Sequence, residues 1–389
     1  MPNIKSEALV KPELLVWARE TAGLPVESAA KKISIKPERL LACEHGQARL
    51  TVRQLQELGN AYKRPLAFFY LPVPPKPEPA LYDFRHVPDK IEGSLTPELR
   101  LEIRRARNRR GLALDLYQEL EIPPPVFEAV TTLQTDVSKV AGQIRSFLQT
   151  TAEKQFKLST EYEAYNFWRD AIETSGVLVF QGSLPLQEMR GFSLAEFPLP
   201  VITINSKDHP FGRIFTLIHE LTHIMLRSAG VCNLRDGDEV EVFCNAVAGE
   251  TLVPSQLLKN EPLFKEHAGK AEWSDDSVKT LASRYAVSRE VVLRRLLSLG
   301  IISNGFYQRK REALIKEYAA QVRKSAGGPS QEAMAIGRAG KSFSRLVIDS
   351  YRQEKISPVD ASQYLGIKIK YLEKVEKVVS VFGGQRGLN

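Results

Sequence analysis

The sequence predicts a mainly helical protein of the α+β class, with a small sheet in its central part. Most of the chain consists of short amphipathic segments that begin near proline or serine and end near glycine, as helices do. Three short segments, 176–180, 189–194 and 199–204, combine β-branched and aromatic residues between glycines and prolines, as strands do. We therefore expect helical regions on both sides of a small antiparallel or mixed sheet.

Composition limits the class of protein. The 389 residues suffice for two to four domains, and 43% hydrophobic with 26% charged residues is typical of a soluble globular protein. No apolar stretch follows the first residues and no run is long enough to cross a bilayer, so we expect a cytoplasmic protein without a membrane partner. Three cysteines without paired spacing, Cys43, Cys232 and Cys244, agree with a reduced compartment. A disulfide between Cys232 and Cys244 is the alternative.

Residues 1–75 are predicted to form a bundle of short helices at 11–23, 26–33, 36–46 and 51–62. The tight turn between the second and third of these is the arrangement of a helix-turn-helix. The segment resembles the Xre (lambda-repressor-like) DNA-binding family in Ala29-Ala30-Lys31 and around Glu44 and Gly46.

That resemblance implies DNA binding through residues 1–75. Lys36 and Arg39 near the start of the third helix are the candidate contacts to guanine or phosphate. The third helix departs from the family pattern because it lacks the glutamines that often read adenine. The alternative is a helical bundle used for protein contact or dimerisation.

Residues 76–130 are predicted to be a proline-rich linker followed by a basic helix. Part of the net charge of +8 lies in Glu98–Arg110, which contains six arginines in thirteen residues. Leu99, Ile103 and Ala106 keep helical spacing, which predicts an amphipathic helix with a solvated basic face. A nucleic-acid contact is the alternative interpretation of this face.

Two of the six histidines are four residues apart in a proline-free apolar run, 215–226. Four residues are about one helical turn, so His219 and His223 lie on one face and can bind the same zinc ion. Glu220 lies about 100° from His219 around the helix, where its carboxylate can face a water rather than the metal. These residues predict metal-assisted hydrolysis with Glu220 as the general base. The alternative is two histidines that share an amphipathic face by chance.

A catalytic zinc site takes one more protein ligand. A second helix is predicted from Asp238 to Pro254, and Glu241 lies on its mostly uncharged face. Glu239 and Glu250 fall about 160–180° away, on the expected solvent side. A carboxylate is costly to bury without a positive partner, so Glu241 is the predicted third ligand.

Alternatives remain at this site. Glu241 can instead pair with Arg213, and His209 and Asp236 are the next candidate ligands. His209, Arg213 and Asn245 are also candidates for the oxyanion donor or for residues that support the ligands.

The two helices together resemble the ImmA/IrrE family of zinc metallopeptidases. The resemblance lies in His219-Glu-Leu-Thr-His223 followed by Glu241-x-x-Cys-Asn-x-x-Ala-x-x-x-Leu-x-Pro254. It implies a zincin-like peptidase domain at 131–260, with one zinc ion held by His219, His223 and Glu241 and with Glu220 as general base. Manganese is the alternative metal, although imidazole ligands favour zinc.

Two helical regions follow the peptidase core. Residues 261–325 contain a second helix-turn-helix-like unit at 274–300, with Ser288 capping its second helix, and the resemblance places this unit in the peptidase body. Residues 326–389 are predicted to be a helical C-terminal region, with helices at 343–353 and 357–379 and no catalytic constellation.

These features predict a zinc-dependent regulatory endopeptidase with a DNA-binding domain. The resemblance implies a protein substrate of the repressor or antitoxin type, either this chain or a partner, in a stress, mobile-element or toxin–antitoxin setting. A PIN-type ribonuclease toxin is an implied partner, and a homodimer is a further option. The rival functions are a DNA-binding repressor or antitoxin whose zinc is structural or sensory, and a scaffold that has lost activity.

Overall fold

The computed structural model describes residues 7–75, 96–184, 189–227, 237–267, 272–321 and 330–380. The fold is mainly helical with one three-stranded sheet, so the predicted fold class is confirmed. The chain divides into two compact units, Met1–Leu81 with His86–Arg105 and Tyr82–Arg85 with Ala106–Asn389. The five smaller segments predicted from the sequence stay predictions. None of the described helices combines the length and apolar character needed to span a bilayer.

The first unit contains the four predicted helices. They are α1 (Pro12–Thr21), α2 (Val26–Lys32), α3 (Pro37–Glu44) and α4 (Val52–Tyr62), followed by the 3₁₀ helix η1 (Leu66–Tyr70). Leu14, Leu40 and Leu55 are fully buried in its core. The buried Glu44 carboxylate accepts two hydrogen bonds from Arg19, at 2.7 and 3.0 Å, which joins α1 to the end of α3.

The basic segment forms a single helix, α5 (Pro97–Glu119), but its predicted solvated basic face is solvated only in part: the Arg105 side chain is 55% exposed. The side chains of Arg107 and Arg110 are only 16% and 13% exposed, and both pair with Glu196. Arg110 also donates to the backbone carbonyls of Pro198 and Leu199. The sequence could not show these acceptors because they lie almost ninety residues further along the chain.

The second unit contains the remaining elements. Its strands are β1 (Leu178–Gly182), β2 (Gly191–Leu194) and β3 (Val201–Asn205). Its helices are α6 (Val137–Phe147), α7 (Ala152–Gln155), α8 (Glu161–Thr174), α9 (Pro210–Leu226), α10 (Gly237–Leu252), α11 (Ser255–Asn260), α12 (Pro262–Glu266), α13 (Asp275–Arg284), α14 (Arg289–Ser298), α15 (Asn304–Gln321), α16 (Gln331–Ala339), α17 (Lys341–Arg352), α18 (Pro358–Leu365), the 3₁₀ helix η2 (Ile369–Tyr371) and α19 (Leu372–Ser380).

The sheet is mixed and has the order β1-β3-β2. Strand β3 is parallel to β1 and antiparallel to β2. Helix α9 packs against β2 and β3, and Gly191 permits the close approach: a Cβ there would lie 2.6 Å from Thr216 Cγ2. The sheet therefore rests directly on the helix that carries the two histidines.

The later helical regions agree with the sequence in outline. Ser288 caps α14 by accepting from the Val291 N–H, and Gly300 follows that helix with φ +69°. The stretch predicted at 357–379 is instead broken into α18, η2 and α19. The break occurs at Gly366, whose φ of +63° is a conformation that glycine adopts at little cost.

Candidate metal centre

Helix α9 presents the two histidines from an almost fully buried element. It begins after His209 with Pro210, whose fixed φ suits a first helical position. Apolar side chains bury it on several sides, among them Ile214, Leu217, Ile218, Leu221 and Ile224. In this surrounding His219, Glu220 and His223 are only 6%, 3% and 3% exposed.

Glu241 of α10 lies beside both imidazoles, as the sequence predicts. Its carboxylate oxygens are 3.5 Å from His219 Nε2 and 3.7 Å from His223 Nε2. The candidate ligand atoms of the three residues all lie within 4.8 Å of one another. Ligands about 2.0–2.1 Å from a tetrahedral zinc ion are about 3.4 Å apart, so the two nitrogen–oxygen distances suit ligands of one ion.

The chemistry of this cluster fits zinc. Two imidazole nitrogens and one carboxylate oxygen are a common donor set of catalytic zinc sites. The Glu241 side chain is 33% exposed, whereas both imidazoles are buried, so the cluster has one side near solvent. Among the described residues, His219 Nδ1 is buried without a hydrogen-bond partner, while Nε2 of the same ring faces Glu241.

The other candidate residues have different positions. His209 caps the start of α9 by accepting from the Phe211 N–H, and its Nε2 lies 3.0 Å from Glu161. It precedes His219 by ten residues, which is about 15 Å along a helix, so it is not brought into the cluster. Arg213 donates to the backbone carbonyls of Ser206 and Asp208, at 2.7 Å each. These bonds fix the loop between β3 and α9.

Four further residues singled out from the sequence belong to the segment 232–245. Asn245 is half-buried one turn after Glu241, and its role stays a prediction. Cys244 is buried, as expected for a packing residue. Asp236 and Cys232 lie outside the described residues.

The expectation for Glu250 is wrong, whereas Glu239 is exposed as predicted. Glu250 is 8% exposed and forms a buried ion pair with Arg295 of α14. It also accepts from the N–H and hydroxyl of Ser255, both at 2.9 Å. A helical wheel places Glu250 opposite Glu241 but cannot show that another helix covers that side.

Phe215 is a residue near the site to which the sequence analysis assigns no role. Its ring lies 6.1 Å from that of His219, one helical turn earlier on the same face of α9, and the residue is only partly buried. The spacing of four residues before His219 was the available signal. An aromatic ring at this place gives the surroundings of the cluster an apolar wall.

Comparison with protein families supports the peptidase interpretation. The model of the IrrE N-terminal-like domain, Peptidase_M78, matches residues 172–297. The match extends from the end of α8 to α14 and includes the sheet, both ligand-bearing helices and the second helix-turn-helix-like unit. It supports a metallopeptidase of the IrrE type in this part of the chain. No curated protein matches the chain, and the resemblance of residues 1–75 to the Xre family stays a prediction.

Proposed function

We propose that the chain is a zinc-dependent regulatory endopeptidase. The observation that carries this proposal is the convergence of His219, His223 and Glu241 from two neighbouring helices beside the buried Glu220. The family match over the same helices supports peptidase chemistry. His219, His223 and Glu241 hold the ion, and the two nitrogens with one oxygen favour zinc over manganese.

Bound zinc supplies a Lewis acid that polarises the scissile carbonyl and makes water more acidic. The protein supplies the proton transfers. Glu220 accepts the proton of the attacking water and then delivers it to the leaving amine. Its burial removes competing solvent, and its place next to His219 keeps it close to the cluster.

The sheet offers a way to hold an extended peptide. The Val179 carbonyl of β1 accepts from Arg169, and a Cβ at Gly340 would lie 2.7 Å from the same oxygen, so other parts of the chain occupy that edge. Strand β2 is at the opposite edge and packs against α9. We expect a substrate to pair with β2 as an added strand. A bound peptide without main-chain bonds to β2 would contradict this expectation.

The substrate is a protein of the repressor or antitoxin type, either this chain or a partner. The helix-turn-helix arrangement of α2 and α3 supports DNA binding by the first unit, with Lys36 and Arg39 exposed at the start of α3. This organisation suits a regulator of stress, mobile-element or toxin–antitoxin genes, with a PIN-type toxin as a partner and a homodimer as one assembly.

The proposal is tested by measuring zinc content and substrate cleavage in variants of two carboxylates on α10. Glu241→Gln is expected to lose bound zinc and activity, while Glu239→Gln, an exposed neighbour, retains both. Glu220→Gln is expected to keep the metal and lose at least about a hundredfold in turnover, the usual size of general-base catalysis. Zinc content is measured by mass spectrometry. Cleavage is measured with candidate repressors and with the chain itself as substrates.

Two results would favour the rival functions. Full zinc occupancy with tight binding to DNA, but no cleavage of any candidate substrate, would favour a repressor with a structural or sensory metal. Equal cleavage by the Glu220→Gln and unaltered proteins would reject Glu220 as the base.

A further inference from the structure

The C-terminal region contains a pair of helices with the architecture of a helix-turn-helix. Helix α18 has eight residues, its C-cap is Gly366 in the left-handed conformation, and three residues, 366–368, separate it from η2. Helix α19 continues directly from η2. Both α18 and α19 pack against α16 and α17. A short first helix, a tight turn containing glycine and a second helix are the defining parts of this motif.

The core of the pair is formed by apolar residues of both helices. They include Ala361 and Leu365 on α18, Ile367 in the turn, and Leu372 and Val375 on the second helix, and each is between 0% and 8% exposed. Val359, Ile369 and Val378 are instead exposed. Their burial fixes the two helices against each other. The opposite side of the second helix is consequently turned outward.

That outward side is rich in lysine. Lys368, Lys370, Lys374 and Lys377 are all exposed. Lys370, Lys374 and Lys377 follow at spacings of four and three residues, so they lie along one helical face. Lys370 and Lys374 both lie over the Tyr371 ring, at 5.1 and 5.8 Å, which holds two positive charges close together.

We propose that this pair is a second DNA-binding unit, in which η2 and α19 enter the major groove of duplex DNA. The exposed lysines complement the phosphate charge of DNA, and the second helix of such a motif fits the major groove. Lysines at the start of that helix are placed for phosphates and base edges. We define Lys370, Lys374 and Lys377 as the lysine face.

Carboxylates near the lysine face oppose this attraction only in part. Glu376 is engaged by Arg352 through two hydrogen bonds, so its charge is balanced. Glu373 is exposed beside the lysines, and Glu332 of α16 is close enough to Lys374 for its pKa to be affected. The Glu332 pKa lies below its ordinary value mainly because of a hydrogen bond to its own backbone, with a smaller effect from Lys374. Glu373→Gln is therefore expected to tighten DNA binding.

The test uses the full chain with Lys36→Ala and Arg39→Ala, so that the first unit contributes little. Binding to a fluorescent 24-base-pair duplex of arbitrary sequence is measured by anisotropy at several salt concentrations. Changing the lysine face to alanine is expected to weaken binding at least about tenfold and to lower the slope of log affinity against log salt by about 2–3. The same three positions changed to arginine should retain binding.

A second triple variant controls for net charge. Lys259, Lys265 and Lys279 are exposed elsewhere in the same unit, and their change to alanine removes the same charge. We expect less than about a threefold effect from this variant. Equal losses in the two triple variants would overturn the proposal, and so would a parent variant that binds no duplex at low salt. Preferential binding of a single-stranded RNA of the same length, lost with the lysine face, would also overturn it.

Discussion

Three pairs of helices in the described part of the chain share one local arrangement but present different surfaces. They are α2 and α3, α13 and α14, and α18 with η2 and α19, and each pair is joined by a turn of three or four residues. Each turn contains one residue with positive φ, namely Ser34 at 56°, Ala286 at 49° and Gly366 at 63°. The shared geometry therefore comes from the turn and from packing within each pair.

What differs is the outer side of the second helix. In the first and third pairs this helix exposes basic side chains, Lys36 and Arg39 on α3 and the lysine face on η2 and α19. In the middle pair, α14 packs against α10 and α15 as well as α13, and its exposed Arg294 is paired with Glu290 on the same helix. Since three pairs share the geometry and differ in exposed charge, helix-turn-helix geometry alone is a weak indication of nucleic-acid binding. We expect exposed positive charge on the second helix to distinguish a DNA-binding unit from a structural one.

The largest expected effect tests the structural role of the middle pair. Arg295→Ala removes the partner of the buried Glu250 and also a hydrogen bond to the Val253 carbonyl. Loss of one member of a buried pair is expected to lower the free energy of unfolding by about 3–5 kcal/mol. The midpoint of urea unfolding measures the change, and binding to duplex DNA should be unchanged in the protein that stays folded.

The neighbouring arginine is the matched control. Arg294 is 43% exposed and pairs with Glu290 on the same helix, so Arg294→Ala should cost less than about 1 kcal/mol. If both substitutions cost the same, or if Arg295→Ala selectively weakens DNA binding, the middle pair is not the structural unit that we describe.

The next effect concerns the first pair. Lys36→Ala with Arg39→Ala is expected to weaken binding to duplex DNA about tenfold, because two exposed cations at the start of α3 are lost. The salt slope should fall by about 2. Anisotropy with the same duplex measures both quantities. An unchanged affinity would place the first pair with the middle one, as a packing or dimerisation element.

The sequence could predict that His219, His223 and Glu241 lie close together, because the information for this cluster is local. His219 and His223 are one turn apart on one helix, and Glu241 is on the neighbouring helix of the chain. The sequence did not predict that Glu250 and Arg110 are largely buried in ion pairs, because their partners lie far along the chain. Periodicity gives the angle of a side chain around its own helix. It does not show which surfaces a second helix covers.

The sequence shows turn signals around 360–366 but predicts one helical stretch, 357–379, across them. Residues 357–379 keep apolar spacing on both sides of Gly366, so they read as one helical stretch. Glycine inside such a pattern was the available signal, since it allows the left-handed backbone of a tight turn. The end of α18 at the left-handed Gly366 and the start of η2 at Ile369 show where the chain turns.

A pair of reciprocal substitutions tests the shared turn geometry. Gly366→Ala should lower the free energy of unfolding by about 1 kcal/mol, because a Cβ meets open space but the positive φ is strained. Ser34→Gly relieves the same strain and should raise the free energy of unfolding by up to about 1 kcal/mol. The greater flexibility of glycine in the unfolded chain reduces this gain. Urea unfolding measures both. Changes of the same sign would contradict a common turn conformation.

The smallest expected effect concerns pH and the ion pairs of α14. Burial raises the pKa of Glu290, but Arg294, Arg190 and Arg311 outweigh this effect and hold its pKa below the ordinary value. A carboxyl with a lowered pKa in the folded protein adds stability above its unfolded pKa, and this stability is lost as the pH falls through the folded pKa. Glu290→Gln should therefore cost about 0.5–1 kcal/mol near pH 7 and progressively less below about pH 4. The unfolding midpoints of the unaltered protein and of Glu290→Gln are measured across this pH range. A stability difference between them that grows as the pH falls would show that the arginines do not stabilise the charged form of Glu290.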